Sequence, residues 1–226
     1  MRILALDTAT AACSVAVWSA GVKAGRSAAM ARGQAEALMP MVAATMADAG
    51  LAFAELDLIA VTVGPGSFTG LRIGLAAARG MALAADRPCL GITTLAAVAA
   101  SVGPVAGGGA VLAVVESNRG DVFAQAFGPD GDPLGPPVAA AARDLATRVP
   151  LRPLTVVGAA AGPVAAALTA AGRTAVAAAP AMTVAAAVAE IASRQWRKDG
   201  PPPRAPSPLY LRSPDTGPVS GPGRRP

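Results

Sequence analysis

Asp7 closes the apolar run "RILAL" at residues 2–6, with Thr8 and Thr10 beside it and Ser14 close behind. A carboxylate at a strand end among hydroxyls can hold a Mg²⁺-bound water and meet phosphate oxygens. Asp7, Thr8, Thr10 and Ser14 are therefore a candidate nucleotide-cleft group. The same four residues also suit an Asx or Ser/Thr turn that shapes a hairpin. A second candidate is the segment "GPGSFTGLRIG" at residues 64–74. A Walker A loop needs a lysine after its last glycine, and here Leu71 follows Gly70. A dinucleotide fingerprint follows the first strand, whereas Gly64, Gly66 and Gly70 follow a later one at a different spacing. What remains is an anion nest of backbone amides near Ser67–Gly70 at a helix start. Glu116 and Asp121 flank Asn118-Arg119-Gly120 and read either as site carboxylates or as the solvated charges of a turn.

Other chemistries are excluded by composition. The chain has no histidine, which removes histidine bases, Ser-His-Asp triads and histidine metal ligands. Cys13 and Cys89 lie far apart in apolar stretches, which predicts buried thiols in a reducing compartment. Asp7 sits where a secretory leader would be apolar, so a cytoplasmic location is expected. The apolar run 89–115 is broken by glycine and proline, so it reads as helix, turn and strand, with no membrane span expected.

The elements that must position these residues follow from periodicity. Residues 2–6, "CSVAVWSAG" and "GVKAGRSAA" read as three strands in an antiparallel start. Residues 34–49 have helical spacing through Leu38, Val42, Thr45 and Ala49, with Gly50 as the stop and Pro40 predicting a kink or a later start. A buried strand over 56–63, a helix over 70–85, a strand over 87–92 and a further helix follow. The pattern restarts with strands at 110–117 and 121–127, an extended loop at 128–137 and a short helix near 140–147. A strand at 154–158, a helix at 162–171, a strand near 173–177 and a helix at 181–198 complete it. This predicts an α/β protein of two duplicated lobes with mixed sheets: residues 1–104, then a smaller lobe over 105–198 whose last helix can return to the first. Residues 199–226 read as a Pro-rich basic tail. Residues 1–190 balance 12 basic against 12 acidic residues, and residues 191–226 carry 7 against 2, the whole net +5. That charge describes a solvated end, with a tRNA-binding module as one functional alternative.

The second helix offers a different use for its glycines. Gly70, Gly74 and Ala78 fall four apart on one small-residue face that admits close approach of another backbone, and Arg72 and Arg79 lie on another side. Helix 34–49 carries Met39 and Met46 seven apart beside Leu38 and Val42, and methionine adapts its shape at contacts. These faces suit either a protein partner or the chain's own sheet.

At "MRILALDTATAACSVAVW" (1–18) and "GPGSFTGLRIGLAAARGMALA" (64–84) the sequence resembles the bacterial TsaB (YeaZ) family, with "LMP" at 38–40, "GITTLAAVA" at 91–99 and "PLYLR" at 208–212 in agreement. The resemblance runs to about residue 212. It implies the actin/Hsp70-like (ASKHA, ribonuclease H-like) fold, and a non-catalytic relative of the TsaD transferase. Such a subunit would support, with the ATPase TsaE, threonylcarbamoyl transfer to tRNAs that read codons beginning with adenine. The chain itself would then require no cofactor, ATP and Mg²⁺ being used by its partners. The family's contact with TsaD is a bundle of the first two helices. Carried over, the interface candidates are Leu38, Met39, Val42, Met46, Gly70, Gly74, Ala78, Arg72 and Arg79, and the same surface allows a homodimer. The chain departs from the family at "ARGQAEA", where many members have a histidine, and at "VESNRGDVFAQA", where the second lobe often opens with "IDAR.GEVY". A stand-alone nucleotide hydrolase of this fold is the enzymatic alternative. A peptidase has no residue set to support it.

Overall fold

The computed structural model describes residues 1–105, 109–117 and 120–212. The expected glycine break at 107–109 lies only partly within these, and Asn118, Arg119 and residues 213–226 lie outside them.

The first lobe is a five-stranded sheet in the order β3-β2-β1-β4-β5, formed by Arg2–Asp7 (β1), Ala12–Ser19 (β2), Val22–Ala29 (β3), Leu58–Thr62 (β4) and Cys89–Ile92 (β5). β1 and β2 pair antiparallel with Leu4 opposite Val17, and β1 and β4 pair parallel with Leu4 opposite Ile59. Helix α1 (Gln34–Ala49) links β3 to β4, α2 (Phe68–Ala85) links β4 to β5, and α3 (Thr94–Ala100) follows β5. The second sheet repeats this plan. Ala110–Glu116 (β6), Val122–Phe127 (β7), Val138–Ala140 (β8), Leu154–Val157 (β9) and Ala175–Ala178 (β10) lie in the order β10-β9-β6-β7-β8. Again two antiparallel pairs precede two parallel ones. A 3-10 turn at Ala142–Thr147 stands where α1 stands in the first lobe, α4 (Ala161–Ala170) where α2 stands, and α5 (Val184–Asp199) where α3 stands.

Alternation along the strands explains the layers. On β1, Leu4 and Leu6 face α1 and α2 in one core, while Ile3 and Ala5 face Ala187, Val188 and Ala192 of α5 in another. α3 sends Leu95 and Val98 against Val111, Val115 and Phe123 of the second sheet. Helices α3 and α5 thus form the layer between the sheets, and α1 and α2 cover the outer face of the first. The alanine-rich composition fits this plan, because small residues let α5 lie close to the sheet.

Several local expectations change. The segment read as a helix near 140–147 is β8 followed by the 3-10 turn, because Val138–Ala140 pairs with Val122–Ala124 and that pairing overrides alanine's helix preference. Pro40 neither starts nor ends α1, which runs unbroken through it from Gln34. The tail expected to begin at 199 is docked over its first part. Residues 201–212 form a strap along the outer edge of the first lobe, with the Leu209 amide donating to the Val63 carbonyl at 2.7 Å. Leu209 joins the first-lobe core and Leu211 packs on the second-lobe core.

Candidate docking face and interlobe cleft

The glycines of the 64–74 segment are spent on the chain's own backbone. A Cβ on Gly66 would stand 2.4 Å from the Ala9 carbonyl oxygen, and one on Gly70 would stand 1.9 Å from that of Thr8. A Cβ on Gly74 would meet Thr8 Oγ1 at 2.5 Å and Val61 at 3.4 Å. The loop amides are also engaged: Ser67 N donates to the Ala9 carbonyl, Gly70 N to Ser67 Oγ, and Gly64 N to Thr94 Oγ1. Thr8 Oγ1 in turn donates to the Gly70 carbonyl at 2.7 Å. The loop locks the start of α2 onto the β1–β2 turn, and these amides are not aimed at an anion.

This corrects the assignment of the small-residue face. Gly70, Gly74 and Ala78 are buried against β1 and β4, and Leu38, Val42 and Met46 of α1 are buried in the same core over β2 and β3. Buried side chains have no surface left to give a partner. Met46 is buried in the core that Leu51 and Leu56 join, whereas Met39, seven residues earlier, is exposed. The outward row is the opposite one. Arg72, Ala76, Gly80 and Ala84 are all exposed, and two residues' offset on a helix is a turn of about 200° from the buried row. Leu83 beside them is 85% exposed, and Met39, Pro40, Ala43 and Ala47 present the outer side of α1. Arg79 is exposed on α2, and Arg72 lies over the Phe68 ring at 3.8 Å, which itself tilts against Tyr210 of the strap.

The Asp7 group is a turn. Asp7 is fully buried and accepts from the Ala9 amide at 3.0 Å, from Thr10 Oγ1 and from Thr62 Oγ1. Burial pushes its carboxyl above the ordinary 3.8, and those hydrogen bonds oppose the shift. Ser14 Oγ accepts from Ala185 N and so satisfies an open amide in the first turn of α5. An actin-like cleft implies a nucleotide, and the cleft is present: a cavity of about 550 Å³ between the lobes, lined by Thr10, Ser14, Ser101, Gly158 and Met182 among others. Among the described residues no charged side chain lines it. Asp7 lies sealed beneath the turn, so among the described residues no carboxylate would reach a metal-bound water and no cation a phosphate there. The residues do not fit a Mg²⁺–nucleotide.

The two thiols are equally enclosed. Cys13 is buried, and burial together with the Asp7 charge raises its thiol. Burial pushes Cys89 up to about 11, against a smaller opposite pull from Arg79. Neither is a nucleophile near neutral pH. Asp121 is held below the ordinary carboxylate value by hydrogen bonds from Ser117 and Arg212, the latter on the strap, while Glu116 is exposed. The described residues hold no cluster of three metal-ligating groups, and none of their helices is long and apolar enough to cross a membrane.

Two mixed sheets of one topology with a shared helix layer define a chain of the actin-like (ASKHA) class. The family model described as "TsaD: tRNA N6-adenosine threonylcarbamoyltransferase" matches residues 28–196. The "tRNA threonylcarbamoyladenosine biosynthesis protein TsaB" of Escherichia coli is 39% identical over 123 residues, 54% of this chain and 53% of that protein. The chain therefore spans about half the length of this curated relative. An uncharacterized protein of Mycobacterium tuberculosis is 34% identical over 96% of this chain and 95% of its own. The structure of YeaZ from Pseudomonas aeruginosa superposes with a TM-score of 0.76 at 26% identity, covering 93% of this chain and 99% of that one. The chain belongs to the TsaB/YeaZ family, within the wider group that the TsaD model describes.

Of the interface candidates only Met39, Arg72 and Arg79 are exposed; sequence reasoning missed the rest of the outward row of α2 (Ala76, Gly80 and Ala84) and the strap. The signal for the first was Arg72 and Arg79, whose charges must face water. The signal for the second was the apolar Leu209-Tyr210-Leu211 inside a Pro-rich stretch.

Proposed function

We propose that this chain is a non-catalytic subunit of the machinery that makes threonylcarbamoyladenosine in tRNA. It docks on a TsaD-type transferase through the outer faces of α1 and α2, and the assembly accepts a TsaE-type ATPase. The observation that carries the reading is the outward surface itself, within the family-matched region. Ala43, Ala47, Ala76, Gly80 and Ala84 are exposed, small and spaced for close helix approach, with Met39 and Leu83 as projecting apolar side chains. The enclosed thiols, the lack of histidine and the uncharged cleft favour a supporting role over a catalytic one. Docking would act by selecting a competent state of the transferase. In the absence of that partner the same face would support a homodimer.

The test is association with the TsaD-type protein of the same organism. Ala76→Trp places a large ring on the exposed row without touching the chain's core, so the monomer should keep its stability within about 0.5 kcal/mol. Loss of the hetero-complex in this variant, read by light scattering after size exclusion, is the expected result. An undiminished complex would reject the face.

A further inference from the structure

The docking face runs, through Gly80 and Leu83, into a groove whose charge the proposed function does not use. It has a volume of about 560 Å³ and runs between the second half of α2, the start of β5 and the strap. Arg79, Arg87 and Arg204 line it with Leu83, Pro202 and Pro203, and among the described residues no carboxylate does. Some arginines outside the groove are paired, Arg2 with Glu55, Arg26 with Asp48 and Arg212 with Asp121, and others such as Arg72 are not, among the described residues. The three groove arginines form no ion pair among the described residues.

The groove is preorganised on one side. The Arg87 guanidinium donates to the carbonyls of Leu56, Ala54 and Asp86. Carbonyls fix its orientation but leave its positive charge whole, and a guanidinium has five N–H groups, so donors remain. Arg79 stands close enough to Cys89 to pull against the rise of that thiol. Arg204 comes from the strap, in the segment 191–226 that carries the chain's whole net charge of +5.

We propose that this groove binds the phosphodiester backbone of RNA, with Arg79, Arg87 and Arg204 each meeting a phosphate. A planar guanidinium fork matches phosphate oxygens. Three cations along one open groove, with no acid between them, suit a chain of regularly spaced anions. Among the described residues no aromatic side chain lines the groove, so contact is with the backbone and carries no sequence preference. The choice of RNA rests on the proposed function, whose substrate is tRNA.

The experiment is anisotropy of labelled, unmodified tRNA with the full chain, alone and with the TsaD-type partner, over a series of salt concentrations. The double variant Arg79→Gln with Arg204→Gln should weaken binding several-fold. It should also flatten the slope of log K against log salt by roughly 1.5, about 0.7–0.9 for each phosphate contact removed. An unchanged slope overturns the proposal. So does a variant that keeps its tRNA affinity but loses affinity for polyglutamate or for free ATP, which would mark an acidic protein or a nucleotide as the occupant. Light scattering on the same samples separates the two readings. Arginine-dependent tRNA binding without a hetero-complex keeps the groove and removes the docking function. A hetero-complex with an unchanged salt slope does the reverse.

Discussion

Helix α2 carries two rows of small residues, and they have opposite fates. Gly70, Gly74, Ala78 and Ala82 are buried, while Arg72, Ala76, Gly80 and Ala84 are exposed. The inner row begins with two glycines because Thr8, in the β1–β2 turn, comes too close for a Cβ at either. The Thr8 carbonyl would meet one at 1.9 Å on Gly70, whereas among the described residues nothing lies within 4 Å of one on Gly80. Spacing four therefore signals close approach without saying by what. The neighbours decide: Leu71, Leu75 and Met81 flank the inner row, and Arg72 and Arg79 hold the other side in water. A small-residue stripe becomes a candidate partner surface only after the charged positions have fixed which side is out.

The sharpest way to break this contrast is to enlarge the inner row. Gly74→Trp forces a side chain into Thr8 and Val61, and should cost at least about 3 kcal/mol or prevent folding, as read by urea denaturation. It is consequently a poor probe of docking. A smaller effect is expected on the outer row, with the opposite sign. Gly80→Ala removes a helix-interior glycine in open space and should stabilise the chain by about 1 kcal/mol in the same assay.

Beneath the inner row, Asp7 gives a pH signature. Its folded carboxyl holds its proton above 3.8, so the folded state binds more protons than the unfolded one as pH rises from that value, and stability falls with rising pH. Asp7→Asn should remove that decline. Thermal melts of the two proteins should lie closest near pH 4 and separate toward neutrality, with the variant higher. The smallest effect belongs to the strap. The Arg212–Asp121 pair contributes fully above 3.8 and is lost as pH falls through the depressed value of Asp121. Partly exposed pairs contribute about 0–1 kcal/mol, so Arg212→Ala should speed exchange of the Leu209 amide with little change in overall stability.

Much of the fold was legible in the sequence. The duplicated plan follows from the order of strands and helices. The span of α1 follows from Leu38, Val42 and Thr45, with Gly50 as a left-handed stop. The site was less legible, because its determinants are long-range. Gly66 is close to Ala9 and Gly91 to Pro206 only after the chain has folded. Asp7 could equally have been a ligand or a turn until Thr62, 55 residues away, was seen to donate to it. In the strap, proline composition conceals Leu209 and Leu211, whose docking depends on both lobes.

The central claim is that the outward row of α2, with the outer side of α1, is the docking face. The most direct measurement is light scattering with size exclusion on this chain mixed with the TsaD-type protein of the same organism, with and without Ala76→Trp. The account predicts a stable hetero-complex that the substitution abolishes while the monomer's melting temperature stays put. Two separate peaks for the unsubstituted chain, or a complex that Ala76→Trp leaves intact, would contradict it.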